Sequence, residues 1–286
     1  MRTVYLHFIA FLLLLCGCSP QKNADEQIEN KTILSLYPAI TETVYRLDGQ
    51  SRLVGRSDYC ASPTEVLSIP AFGTSLTPNY EAIARNRPGL ILTDKSAGTS
   101  LPSLQRLSSV KQLPWLTVDD IESSIIELGI ILDKEEESQQ LSSKMLTALQ
   151  PTTTEDSPTM LVLMSGSDIK KGQIWFMRSD SLHGAAIEAA GYKNAAPSVQ
   201  GGPPSMSLEQ LLQQDPDIIL FLTSRTESSE TVESLKNSVA VLPTLKSVQK
   251  QQIGVLNGEN LMGVGPSIVN LVEKIRKQGQ ILLDKK

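Results

Sequence analysis

The chain has 286 residues, of which 40% are hydrophobic and 20% charged, and its formal net charge is -5. This apolar fraction is sufficient for a folded core, and the length predicts one large or two medium domains. The mild acidity argues against nucleic acid as a partner, and three cysteines in all exclude a disulfide-rich scaffold.

The amino terminus has the pattern of a secretion signal. One basic residue precedes an apolar run over residues 4–15, which is too short to cross a bilayer core of about 30 Å comfortably. The segment LCGC at residues 15–18 resembles the lipobox of bacterial lipoproteins. The resemblance implies that a signal peptide over residues 1–17 is removed and that Cys18 becomes lipidated. An ordinary signal peptide that happens to contain a cysteine is the alternative.

Lipidation would determine where the protein resides. More than one acyl chain gives stable membrane attachment. The polar residues 18–31 are then a tether between the lipid and the folded part. We therefore expect a protein anchored in a bacterial cell envelope that faces the periplasm or the cell exterior.

The rest of the chain contains an approximate internal duplication. The apolar segment 32–37 (TILSLY) is matched 127 positions later by 159–164 (TMLVLM). The segment 79–92 has the pattern N-x-E-x-I-x4-P-x-L-I-L, and 207–220, at an offset of 128, has S-x-E-x-L-x4-P-x-I-I-L. Chance similarity between common α/β pieces is the alternative to a true repeat.

Each copy predicts a short helix followed by a buried strand. Asn79 and Ser207 are suited to cap the helix, the glutamate two residues later is favourable near its positive end, and a proline stops it. Alternating helices and strands favour parallel sheets. The sequence thus predicts an α/β fold with one sheet in a lobe over 32–118 and another in a lobe over 151–286.

Residues 119–150 have apolar positions at helical spacing and only one glycine. At 1.5 Å per residue, a helix of about 30 residues would be roughly 45 Å long. The spacing predicts one long, stiff helix that bridges the lobes. A cleft between two lobes joined in this way is the expected ligand site.

Three motifs carry a resemblance to a known family. Residues 35–42 (SLYPAITE), 53–60 (LVGRSDYC) and 73–83 (GTSLTPNYEAI) resemble the helical-backbone substrate-binding proteins of ABC importers, nearest to the vitamin B12-binding branch, with iron-siderophore and haem receptors as relatives. The resemblance covers essentially the whole chain from Thr32. It implies two α/β lobes bridged by one long helix, and a non-enzymatic receptor that holds a metal chelate or corrinoid. It also implies delivery to an ABC permease with its ATPase.

The resemblance implies a docking role for two glutamates. In the family, one glutamate from each lobe meets arginines of the permease, and these positions match Glu81 and Glu209. Arginine–carboxylate contacts are bidentate and oriented, so two of them would fix both lobes. Solvated charges at helix starts are the alternative.

The family's ligand side chains correspond here to a mixed set. Tyr59 stands where the B12 branch has a cleft tyrosine, Trp175 lies near a second-lobe aromatic, and Glu259 matches an acidic position. Flat aromatic faces suit a corrin, porphyrin or catecholate. Several positions depart from the cobalamin-binding pattern, and each aromatic could instead belong to the core. The predicted ligand-binding residues are Tyr37, Tyr59, Ser75, Trp175, Glu259, Asn260 and Met262.

Metal-binding and hydrolytic functions find little support. With His7 in the signal segment, the mature chain keeps only His183, which excludes a three-histidine metal site. We therefore expect no cofactor or metal of the protein's own, because any cobalt or iron would arrive within the ligand. His183 is predicted as a surface residue at a helix start, although haem ligation together with a tyrosine stays open, and Cys60 is predicted to be buried.

Three alternatives to a chelate or corrinoid receptor remain open. One is a haem receptor of the same fold. A second is a lipid-anchored hydrolase that uses paired carboxylates, although G-x-S-x-G and P-loop motifs are absent. A third is a metallochelate sensor that signals to a membrane partner.

Overall fold

Two parallel four-stranded sheets organise the part of the protein that the computed structural model describes, residues 32–197 and 203–284. Helices flank both sheets, so the chain has the predicted two-lobed α/β architecture. The first sheet has the strand order β2-β1-β3-β4. The elements of the first lobe are β1 (Ile33–Ser35), α1 (Pro38–Arg46), β2 (Leu53–Arg56), α2 (Tyr80–Asn86), β3 (Leu90–Thr93), α3 (Leu101–Gln105) and β4 (Ser109–Gln112).

Two helices connect the lobes, α4 (Val118–Leu132) and α5 (Glu135–Ala148). The predicted single helix over 119–150 is therefore wrong. Asp133 adopts a left-handed conformation (φ 58°) that ends α4, and the Lys134 amide donates to the Gly129 carbonyl oxygen at 2.7 Å.

The second sheet has the strand order β10-β9-β5-β7, and β6 pairs with β8 in a separate antiparallel ribbon. The elements of the second lobe are β5 (Thr159–Met164), β6 (Ile174–Trp175), α6 (Leu182–Ala189), β7 (Lys193–Asn194), β8 (Ser205–Met206), α7 (Leu208–Gln214), β9 (Ile218–Leu222), α8 (Ser229–Ser238), α9 (Lys246–Gln249), β10 (Ile253–Leu256) and α10 (Ile268–Leu283).

A glycine permits the close approach of the two connecting helices. A Cβ atom at Gly129 would lie 2.1 Å from Ser138 Oγ, which real contacts do not allow. Three consecutive glutamates, residues 135–137, then form the first turn of α5, where negative charge is favourable. α4 packs against α1 of the first lobe and α5 against α10 of the second. The connection is thus a bent pair in which each helix contacts a different lobe.

The duplicated helix–strand units are confirmed. Asn79 Oδ1 accepts a hydrogen bond from the Ala82 amide at 3.1 Å, and Ser207 Oγ accepts one from the Gln210 amide at 3.3 Å. The following strands β3 and β9 both pair with the first strand of their lobe. Both helices end two residues before the proline. The residue between, Arg87 or Asp215, has a positive φ, because a residue that precedes proline avoids the helical region.

One buried apolar cluster runs through both lobes. It contains Ile40 of α1, Leu128 of α4 and Leu222 of β9, all less than 1% exposed. Cys60 is buried as predicted, with its Sγ 3.1 Å from Thr41 Oγ1. His183 lies at a helix start but is only 4% exposed, so its predicted surface position is wrong.

No helix within residues 32–197 and 203–284 has the length and apolarity that a membrane crossing requires. The predicted signal peptide and the lipidation site at Cys18 lie outside the described residues.

Candidate functional site

Two neighbouring cavities lie between the lobes. The first, of about 210 Å³, is bounded by the start of α1, by residues 59–62 and by the loop 257–267 that joins β10 to α10. The second, of about 230 Å³, is bounded by the end of α1, by the same loop and by the first turns of α10. Each cavity is therefore lined by residues from both lobes. The cavities share Ser62, Asn260, Gly263 and Ser267.

Five of the seven predicted ligand-binding residues border these cavities. Tyr37, Tyr59, Asn260 and Met262 line the first, and Glu259 lines the second together with Asn260. Their contact with a ligand stays a prediction.

The other two predicted residues border neither cavity. Ser75 is buried, with its hydroxyl 2.9 Å from that of Ser96. Trp175 is half-buried in β6, and its amide donates to Ser167 Oγ at 2.9 Å.

Tyr37 forms an aromatic wall of the first cavity. It directly precedes α1, where its extended backbone places the ring against Trp115 with centroids 6.3 Å apart. Burial, helped by the nearby charge of Asp94, raises the pKa of the Tyr37 phenol to about 12. The cavity therefore presents a neutral phenol at physiological pH.

Tyr59 and Met262 give the first cavity an adaptable, apolar rim. Tyr59 is 76% exposed, so one aromatic face is open to solvent. Met262 is half-buried, and its flexible thioether can adjust to irregular shapes. Together they suit a ligand with flat apolar surfaces.

Glu42 is a site residue that the sequence analysis missed. Its buried carboxylate accepts hydrogen bonds from Arg46 Nε at 2.8 Å, from the Ser267 amide at 2.8 Å and from Ser267 Oγ at 3.0 Å. A Cβ atom at Gly265 would lie 2.2 Å from Glu42 Oε2, so a larger residue there would have to displace the carboxylate. The carboxylate thus links the first lobe to the loop 257–267 of the second. A single sequence contains no signal that pairs residues this far apart.

The loop 257–267 is also held by two ring nitrogens. Trp115 Nε1 of the first lobe donates to the Val264 carbonyl oxygen at 2.8 Å. His183 Nε2 lies 3.1 Å from the Leu261 carbonyl oxygen, and because a carbonyl only accepts, Nε2 carries the hydrogen. Burial lowers the pKa of His183, which favours this neutral form. The histidine therefore stabilises the loop through its hydrogen bond to Leu261 and does not border either cavity.

Glu81 and Glu209 occupy equivalent positions in the two lobes. Each is the second residue of its helix, α2 or α7, and each is exposed. Glu81 lies 3.7 Å from Arg85, and Glu209 accepts a 2.7 Å hydrogen bond from Ser207 Oγ that lowers its pKa. Their role in docking stays a prediction.

Within the described residues, no three histidine, cysteine, aspartate or glutamate side chains lie close enough together to hold a metal ion.

Comparison of the sequence with known proteins identifies a family. Residues 33–259 match the family model described as "Periplasmic binding protein". A cobalamin-binding protein of Halobacterium salinarum is 21% identical over 258 residues, which cover 84% of this chain and 67% of the relative. The high-affinity heme uptake system protein IsdE of Staphylococcus aureus is 22% identical over 219 residues, 74% of this chain and 73% of the relative.

A solved structure shares the fold. The periplasmic vitamin B12 binding protein BtuF of Vibrio cholerae superposes with a TM-score of 0.68 at 22% identity, over 89% of this chain and 98% of that one.

Proposed function

The chain belongs to the periplasmic binding protein family, and we propose that it is an extracytoplasmic receptor that captures a bulky metal chelate or corrinoid and delivers it to an ABC permease. The observation that carries the proposal is the interlobe site itself. The family match spans both sheets and reaches residue 259, within the loop 257–267 that borders both cavities.

The cavity walls favour a flat, largely apolar ligand. Tyr37, Tyr59 and Met262 surround the first cavity, and polar groups, among them Glu259 and Asn260, lie around the second. Each cavity is smaller than the roughly 300–1,000 Å³ that encloses a drug-sized molecule. A bulky chelate would therefore insert one edge between the lobes and rest its remaining face on the exposed ring of Tyr59.

Haem is the second candidate ligand of the same site. Tyrosine oxygen and methionine sulfur both ligate haem iron in proteins, and Tyr37, Tyr59 and Met262 are within the site. Haem ligation by His183 is not supported, because its Nε2 is engaged by the Leu261 carbonyl oxygen. The two curated relatives are named for cobalamin and heme respectively, so both ligands belong in the test.

Anchoring and delivery complete the proposal. Lipidation at Cys18 would hold the receptor at the membrane through the tether 18–31, and Glu81 and Glu209 would meet arginines of the permease. We propose no catalysis and no cofactor. Glu42, a carboxylate of the first cavity, is occupied by three donors, so it is not available as one of a hydrolytic pair.

Fluorescence titration tests the receptor function directly. Trp115 lies 6.3 Å from Tyr37, so a coloured chelate in the first cavity should quench its emission in a saturable, one-to-one manner. Cobalamin, haemin and a ferric siderophore would be titrated separately, and Tyr59→Ala should weaken whichever binds. Hydrolytic turnover of a substrate without stable binding of any of the three would favour the hydrolase instead.

A further inference from the structure

We propose that the second interlobe cavity is an anion subsite, which binds a carboxylate or phosphate group of the ligand while the first cavity holds its apolar part. This inference rests on the proposed receptor function and specifies the class of ligand. The ligand would be an amphipathic chelate that carries an acidic group at one edge.

The first observation is that each lobe contributes one cation to the cavity. Arg46, in the last turn of α1, lines it from the first lobe, and Lys274 of α10 lines it from the second. An anion between them would interact with both charges at once. It would also add a link between the two lobes beside the one that Glu42 makes.

The second observation is that these cations have spare hydrogen-bond donors. Arg46 is 38% exposed at its side chain and uses Nε for Glu42, and its other guanidinium nitrogens have no partner among the described residues. Lys274 has no hydrogen bond or ion pair within the same part of the chain. The guanidinium of Arg46 and the ammonium of Lys274 therefore retain N–H groups that can donate to carboxylate or phosphate oxygens.

The third observation is the placement of the neighbouring groups. Asn270 and Leu271 lie four and three residues before Lys274 on α10, and all three residues line the same cavity. The amide of Asn270 adds a neutral donor to the wall. The cavity therefore contrasts with its apolar neighbour, which Ala39, Met262 and Val264 help to line.

One carboxylate, Glu259, opposes an anion in this cavity. Glu259 lines the cavity and has no partner among the described residues. Glu42 borders the first cavity instead, and two Ser267 donors besides Arg46 satisfy it. The subsite thus predicts opposite signs for two substitutions: removing the Lys274 charge weakens an anionic ligand, and removing the Glu259 charge strengthens it.

Pairs of ligands with and without the acidic group test the subsite. Haemin is compared with its dimethyl ester, which differs only in that the carboxylates are masked, and cobalamin is compared with cobinamide, which lacks the phosphate together with the rest of the nucleotide. The variants are Lys274→Gln, Glu259→Gln and the control Lys277→Gln, which removes an exposed charge from the same helix away from the cavity.

Lys274→Gln should lower the affinity for the acidic member of a pair by about three- to fivefold and leave that for the neutral member unchanged. Glu259→Gln should raise the affinity for the acidic member alone, and Lys277→Gln should change neither. A response to haemin assigns a carboxylate, and a response to cobalamin assigns a phosphate.

Two results would overturn different parts of this reasoning. If the unsubstituted protein binds a ligand pair equally well and Lys274→Gln affects both members alike, the anion subsite is wrong and the receptor function stands. If it binds neither haemin nor cobalamin nor a ferric chelate, the receptor function is wrong and the subsite with it.

Discussion

At the scale of single residues, Glu42 has the most demanding environment in the site. Its buried carboxylate is shared by an arginine and by the amide and hydroxyl of Ser267, and Gly265 packs against it without a side chain. Removing one partner of a buried charged network costs more than the network itself contributes, because the remaining groups lose their bonds without regaining water. Glu42 should therefore govern how firmly the lobes hold together.

Glu42→Ala should lower the free energy of unfolding by about 2–3 kcal/mol, because the Ser267 amide and Arg46 Nε would lose their hydrogen-bond acceptor. Denaturant unfolding monitored by circular dichroism measures the change. Glu273→Gln, which neutralises an exposed glutamate of α10 that has no ion pair among the described residues, is the matched control and should change stability by less than about 0.5 kcal/mol. Equal effects of the two substitutions would contradict the interlobe role of Glu42.

His183 should make stability depend on pH. Its pKa is lowered in the folded state by burial, so the unfolded chain binds a proton more readily than the native one. The contribution of His183 to the free energy of unfolding is fully present above the pKa of the unfolded state, about 6.5. It declines as the pH falls below that value towards the lower pKa of the folded state.

The His183→Gln variant isolates this effect. The glutamine amide can donate to the Leu261 carbonyl oxygen and does not titrate. Free energies of unfolding measured between pH 7.5 and 5.5 should fall for the unsubstituted protein and remain flatter for the variant. Parallel curves for the two proteins would show that His183 is not the titrating group.

At the scale of elements, local sequence signals predict the two helix–strand units correctly and the connection incorrectly. The helix starts and ends are set by short-range signals, namely the caps Asn79 and Ser207 and the prolines that follow, and the structure has helices with these caps. The break at Asp133 has no such signal, because the apolar stripes of α4 and α5 continue the same helical spacing on both sides of it. The chain bends there because α5 gains contacts with α10, which a periodicity within one segment cannot express.

Gly129→Ala distinguishes two helices from one. Alanine favours a helix over glycine by about 1 kcal/mol, so a continuous helix would be stabilised. In the bent pair, the new methyl group would collide with Ser138 Oγ, so unfolding should become easier by about 1–3 kcal/mol. Thermal unfolding gives the sign, and Ser138→Gly in the same chain should recover part of the loss. A stabilised Gly129→Ala protein would restore the single-helix interpretation.

At the scale of the whole molecule, the site follows from the parallel sheets. Tyr37 follows β1, Tyr59 follows β2, and the loop 257–267 follows β10. Ligands of open α/β sheets bind beyond the carboxyl ends of the strands, so a correct α/β prediction already places these residues at the cleft. The partnership of Glu42 with Gly265 could not be predicted in this way, because it depends on how one lobe is set against the other.

Docking by Glu81 and Glu209 belongs to the same scale, since it needs both lobes. Both carboxylates are exposed at the starts of equivalent helices, and neither residue lines either cavity. Glu81→Ala with Glu209→Ala should therefore abolish uptake in cells that depend on this receptor, while ligand affinity in vitro stays nearly unchanged.

The matched control for this pair is Glu65→Ala with Glu230→Ala, which should leave uptake normal. Glu65 is an exposed glutamate in the first turn of the 3₁₀ helix Thr64–Ser68 of the first lobe, and Glu230 is one in the first turn of α8. Each single docking substitution should reduce uptake less than the pair, because one bidentate arginine contact would remain. If the docking pair transports at the normal rate, the two glutamates are only solvated helix-start charges, and the permease must recognise another surface of the lobes. If the pair loses ligand affinity as well, the two helices influence the ligand site, and the hypothesis that these glutamates act only in docking is wrong.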